Sequence, residues 1–311
     1  MLEMPRAVVM ISLFIMVLNI LLVIYYIFIK QDVLLASERL SRFWTALILL
    51  IMGSLSVAYG IVLAQGYNNG RLAFFAFLFS VLILLFIVWA ILEMETMKRR
   101  ALETLQTVVS ILEVENSNLD GHSLHVHNLT MLIYDYLPFG MRWRVNRVNL
   151  AYASLLIDLG KLGVPSRILN KTGKLLSDEW ALMKRHPELS AKIFELIPSF
   201  RAIDDWIIYH HERMDGNGYY HKKGEEIPLA SRLITVADTY SSITMARTFK
   251  ATLSYSDAIM ELKLAAGAQL DPQLVEIFCQ IPRARVEACY EDVRRRMERF
   301  ETAGFKERQD T

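Results

Sequence analysis

The chain has 311 residues, a length that admits about two domains, and its 34 Lys+Arg and 33 Asp+Glu leave a formal net charge of +1. Near-neutral charge excludes a general polyanion-binding surface, so no DNA partner is expected. Two cysteines, Cys279 and Cys289, lie far down the chain without C-x-x-C spacing and read as reduced cytoplasmic thiols rather than a disulfide framework.

The hydrophobic fraction of 53% exceeds the ordinary globular share of about 45–50%, and the excess is concentrated at the amino terminus. Residues 7–29, 44–64 and 72–92 are uncharged apolar runs, each longer than the roughly 18 residues that mark a candidate transmembrane helix. The expectation is a three-span anchor over residues 1–92. Lys30, Arg39 and Arg42 follow the first run and Lys98, Arg99 and Arg100 the third, whereas only Arg6 and Arg71 flank the other side. The positive-inside rule then places the amino terminus outside and everything after Leu92 in the cytoplasm of a bacterial inner membrane. No run contains Asp, Glu, Lys, Arg or His, so no ion or proton path is expected within them.

Residues 93–118 read as a helical connector. Leu102, Leu105, Val109 and Leu112 recur at alternating spacings of three and four, the pattern of a helix seam. The seam fits a dimerising signalling helix or the first helix of the following domain packing on its own core. Asp120 is a candidate cap for the next helix.

All seven histidines lie in residues 119–311. A helix is expected over 119–137, with His122 and His125 three apart on one face and His127 nearby. A second apolar helix, 145–159, ends in I-D-L-G-K, and Asp158 there needs a metal, a lysine or a backbone donor as partner. A salt bridge to Lys161 would be sufficient. Ser177-Asp178-Glu179 opens another helix, and His186 before Pro187 marks a helix boundary. Residues 201–212 read as helical and deliver His210 and His211 into the turn Asp215-Gly216-Asn217-Gly218. Adjacent residues on a helix point about 100° apart, so these two imidazoles suit a metal pair, or a metal and its substrate, better than one spot. A helix over 231–245 carries the apolar-flanked Asp238, with Arg247 and Lys250 after it, and further helices close the chain. With almost no alternating apolar pattern, the fold after the anchor is expected to be all-α.

Taken in order, H-S-x-x-V, D-x-G-K, M-K-x-H-P, H-H-E-R-x-D-G-x-G-Y and V-A-D-x-Y resemble the HD-GYP family, a branch of the metal-dependent HD phosphohydrolases, over roughly residues 119–281. The resemblance implies a helical phosphodiesterase that hydrolyses cyclic di-GMP, to a linear dinucleotide or to GMP, with iron or manganese. It implies metal ligation by His122, Asp158, His186, His210, His211 and Asp238, with Asp158 bridging. It further implies a phosphate contact from Lys161, nucleotide contacts from Arg247 and Lys250, and a homodimer that passes signals to other proteins. The chain departs from the pattern at Ile157, where the family's name-giving histidine would stand, and at Tyr220 in place of the final proline. Ser241 replaces an aspartate and His125 an arginine. Ile157 cannot coordinate, which implies a weakened metal site; His125, on the face of His122, is a candidate substitute ligand. A catalytically silent nucleotide receptor or docking module is the alternative function that these departures allow.

Overall fold

The computed structural model describes residues 17, 21, 70–114, 121–171, 173–195, 197–245 and 252–302. The chain divides into two compact units, Met1–Ala101 and Leu102–Thr311. The regular elements among the described residues are helices, and a lone bridge between Ala266 and Leu270 is their only β-type pairing.

The first described helix, α1, runs from Gly70 to Val114. The expected three-span anchor, and with it the inner-membrane placement, has to be corrected. Among the described residues no helix is long and apolar enough to cross a membrane. The apolar runs 7–29 and 44–64 fall outside the described residues except at positions 17 and 21. The third run lies inside α1, which continues without a break through Glu93, Glu95, Lys98, Arg99 and Arg100. A run of apolar letters is only a candidate.

In the second unit the end of α1 turns one stripe inward: Gln106, Val109, Ser110 and Glu113 are buried, at helical spacings of three and four. Gln106 accepts a hydrogen bond from Arg296, and Glu113 accepts the backbone N–H of Ser123. This stripe is offset from the predicted seam and mostly polar, with Leu102, Leu105 and Leu112 only half-buried. The expected cap Asp120 lies outside the described residues. Gly121, in the left-handed region with φ 73°, precedes the next helix.

That helix, α2 (His122–Tyr136), is the centre of the unit. It packs on α4 (Arg147–Leu156), α9 (Leu229–Thr244), α11 (Pro272–Gln280) and α12 (Arg283–Thr302). Leu124, Val126, Leu129 and Ile133 of α2, with Leu150, Leu155, Leu233, Val236 and Phe278, form a fully buried core. Ten of the fifteen residues of α2 are buried, so it is covered almost all round rather than along one stripe. Its histidines are therefore interior groups from the outset.

Between α2 and α9 the chain, apart from α4, is made of short pieces. They are α3 (Phe139–Arg142, before α4), α5 (Ser166–Leu169), α6 (Ser177–Met183), α7 (His186–Ile193) and α8 (Asp204–Ile208), joined by 3-10 turns at Leu159–Gly163, Pro198–Ile203 and Tyr209–His211. The predicted continuous helix over 201–212 is thus broken. The Thr235 hydroxyl on α9 lies 2.7 Å from the His210 carbonyl, and Glu212 N–H bonds back three residues to Tyr209. These partners satisfy the tight 3-10 geometry in place of a further α-turn. One more helix, α10 (Tyr255–Ala265), is capped by Ser254.

Candidate metal centre

Asp158 is the pivot of the site. It follows the end of α4 and opens the turn Leu159–Gly163, and its side chain is 3% exposed. Two features fix that turn against α7. Ser190 donates to the Ile157 carbonyl at 2.7 Å and accepts Gly160 N–H at 2.7 Å. Gly160 has no room for a side chain: a Cβ there would sit 2.1 Å from the His186 carbonyl and 2.5 Å from Ser190 N. A glycine at 160 lets α7 come close enough to bring His186 against Asp158.

Two groups of ligand atoms meet at this carboxylate. One comprises Asp158, His186, His210 and His211; the other comprises His122, Asp158 and Asp238. Within each group the candidate ligand atoms lie within 4.8 Å of one another. Asp158 Oδ1 is 3.4 Å from His186 Nε2, and Oδ2 is 3.4 Å from His122 Nε2. His122 Nε2 also lies 3.0 Å from Asp238 Oδ1. Lys161 Nζ donates to Asp158 Oδ2 at 2.7 Å, so the helix-end ion pair and the ligand cluster coexist on one carboxylate.

The imidazoles are oriented by their other nitrogen. His186 Nδ1 donates to the Met183 carbonyl at 2.8 Å and His210 Nδ1 to the Ile207 carbonyl at 2.6 Å. A carbonyl only accepts, so the proton sits on Nδ1 and the Nε2 lone pair faces the cluster. His210 Nε2 and Asp158 Oδ1 are buried without a hydrogen-bond partner. His186 Nε2 and His211 Nε2 stand 3.2 Å apart, a separation that two lone pairs hold only with a proton or cation between them. Orphaned acceptors around a buried carboxylate are what a divalent cation would satisfy, and a mixed imidazole–carboxylate set suits borderline metals. The residues fit such an ion.

The electrostatics point the same way. Burial alone would raise the Asp158 carboxyl. Lys161, then His186, His122 and His210 outweigh it and hold the group well below the ordinary carboxylate range. Asp238 is likewise held low against burial, chiefly by its hydrogen bond from His122. Burial pushes His186 down to about 4, only partly offset by Asp158, and lowers His210 and His211 as well. The set is anionic at its carboxylates and neutral at these imidazoles, the protonation that metal binding requires.

His210 and His211 join one group, with ring centroids 3.9 Å apart, rather than serving two separate spots as the helical spacing predicts. The 3-10 turn that carries them departs from the assumed geometry. Ile157 is fully buried and offers no ligand to the His122 group. His125 stands outside both groups, with Nδ1 3.0 Å from Ser241 Oγ. Arg247 and Lys250 lie outside the described residues.

Sequence reasoning gave Glu212, Tyr219 and Ser190 no role at the site. Glu212, buried, accepts the N–H groups of Tyr220 and Lys222 at 2.7 and 2.6 Å and shapes the loop after the histidines. Gly218 packs so tightly on it that a Cβ would lie 2.6 Å from Glu212 Cα. The Tyr219 ring is 4.8 Å from that of His211 under the Lys184 ammonium, and burial, with Asp158 and Asp238 behind it, pushes its hydroxyl up to about 12. The H-H-E-R and G-Y letters were the available signal for Glu212, Gly218 and Tyr219. Ser190 had none.

A family model for the HD domain matches residues 106–274, more than half of the chain. A cyclic di-GMP phosphodiesterase of Vibrio cholerae is 31% identical over 185 residues, covering 55% of this chain and 38% of that protein. A 3'3'-cGAMP-specific phosphodiesterase of the same organism is 32% identical, covering 52% of this chain and 35% of its own length. A cyclic di-GMP phosphodiesterase response regulator of Xanthomonas campestris is 30% identical, with 63% and 51% covered. The chain thus spans between about a third and about half of these relatives. With the ordered motifs and the two groups sharing Asp158, these matches mean that the chain belongs to the HD domain family, in its HD-GYP branch.

Proposed function

We propose that the chain is a metal-dependent phosphodiesterase of cyclic dinucleotides, with cyclic di-GMP as substrate and linear pGpG or GMP as product. The observation that carries the proposal is the position of Asp158, whose two oxygens face two different ligand groups. His186, His210, His211 and one Asp158 oxygen would hold one divalent cation, iron or manganese. His122, Asp238 and the other oxygen would hold a second. Cations held there supply a hydroxide at neutral pH and neutralise charge on the phosphodiester. The chain's own residues do the rest. Met183 and Ile207 carbonyls aim two imidazoles inward, and Lys161 sets an ammonium beside the bridging carboxylate where a phosphate oxygen would arrive. Arg247 and Lys250 are proposed to contact the nucleotide. The names of the relatives support the substrate class, and the cGAMP-specific one makes 3'3'-cGAMP the natural competitor.

A receptor role is the second reading. It is favoured by Ile157, which leaves the His122 group one imidazole and two carboxylates. The test is hydrolysis by the full chain, purified without oxygen and loaded with Fe²⁺ or Mn²⁺, given each cyclic dinucleotide in turn. Cyclic di-GMP turnover that disappears in Asp158→Ala supports the enzyme. Tight binding without turnover under any metal supports the receptor.

A further inference from the structure

We infer that Ser241 and His125 are positioning residues that act through His122, forming a neutral hydrogen-bonded brace behind this imidazole. The inference rests on the cation-binding reading above. Both residues are departures from the motif pattern, 116 positions apart, and the fold brings them together. Ser241 Oγ, at the end of α9, lies 2.9 Å from His122 Nδ1 and 3.0 Å from His125 Nδ1, both on α2. Ser241, His125 and His122 are 0%, 1% and 2% exposed, so no water competes for these bonds.

A hydroxyl has one hydrogen and two lone pairs. Met245 Sδ, 3.3 Å away, takes the hydrogen. Both lone pairs then accept, one from each Nδ1–H. Where a cation replaces the hydrogen bond between His122 Nε2 and Asp238, this tautomer leaves the Nε2 lone pair directed at the ion between Asp238 and Asp158, the orientation that ligation requires. The ring of His125 is in turn wedged between Tyr240 and Tyr290, with centroids at 6.4 and 5.8 Å, which fixes the hydroxyl from behind. His125 thereby serves the site without coordinating. Partners that orient a ligating imidazole through its second nitrogen commonly change metal affinity by about 10–100-fold when removed.

The experiment titrates Mn²⁺ into the full chain, following loss of the free-ion electron paramagnetic resonance signal. It compares the native chain with Ser241→Ala, Ser241→Thr, His125→Phe and the Ser241→Ala/His125→Phe pair. Thermal unfolding in EDTA is recorded alongside. Ser241→Ala is expected to weaken Mn²⁺ binding about 10–100-fold and Ser241→Thr, which keeps the hydroxyl, to restore it. His125→Phe should also weaken binding, and the pair should be no weaker than Ser241→Ala alone because the two act as a unit. If Ser241→Ala and His125→Phe unfold more readily in EDTA but bind Mn²⁺ like the native chain, the brace is only structural and the inference fails. If the native chain takes up no Mn²⁺, the cation-binding reading itself fails and takes this inference with it.

Discussion

At the scale of single residues, the centre depends on what Asp158 touches and on how closely α7 approaches it. Gly160 is the sharpest case, because a methyl group there meets the backbone of His186 and Ser190. Gly160→Ala is predicted to destabilise the chain by about 1–3 kcal/mol and to move His186 off Asp158. Chemical denaturation would register the first effect and loss of Mn²⁺ affinity the second; an unchanged affinity would mean that His186 is not held by this contact. Lys161→Ala is predicted to lower kcat for cyclic di-GMP more than it raises KM, if the ammonium meets the phosphate mainly in the transition state. Legibility at this scale followed chemistry. That His122, Asp158, His186, His210, His211 and Asp238 meet was legible through the ordered motifs and the family resemblance they carry. Ser190 was not, and Ser241 was visible only as a departure from the motif, because a serine's role is set by the groups that the fold lets it bridge.

At the scale of elements, the helices with strong apolar pattern were readable to within a few residues: α2 against a predicted 119–137, and α9 against 231–245. The run 201–212 was not, since tertiary partners on α9 turn its last residues into a 3-10 turn. The end of α1 was mixed. Its periodicity was visible, but the buried stripe is set by polar partners that sequence spacing does not reveal. Glu113 is the clearest of these. Its Oε1 accepts Ser123 N–H at the start of the helix bearing His122, and its Oε2 is buried without a partner. Burial, reinforced slightly by Asp158 and opposed by Ser123 and Lys161, raises its pKa from 4.5 to about 8. The folded state therefore holds a proton that the unfolded state releases above about pH 4.5. Stability from this group is full below that value and is lost as pH rises toward 8, by up to about 1.4 kcal/mol per pH unit. Glu113→Gln keeps the acceptor and removes the titration. Its unfolding free energy, measured between pH 5.5 and 8.5, is predicted to fall less steeply than that of the native chain; parallel slopes would show that Glu113 is charged when folded.

At the scale of the whole molecule, the all-α architecture and its order of motifs were legible because long-range order in sequence maps onto a family-specific arrangement of helices. The anchor reading did not survive: apolar composition marks a candidate, and no described helix is long and apolar enough to cross a membrane. Removing cations should also act globally. If the orphaned acceptors at Asp158 and His210 bind an ion only in the folded state, EDTA is predicted to lower the melting temperature and Mn²⁺ to restore it, by linkage of binding to folding. The most direct test of the central claim, that one carboxylate serves two cation groups, is Mn²⁺ stoichiometry and affinity in the native chain, Asp238→Ala and Asp158→Ala. Asp238→Ala is predicted to weaken only the group containing His122, whereas Asp158→Ala abolishes binding to both. Retention of native stoichiometry and affinity by Asp158→Ala would contradict the shared-carboxylate account.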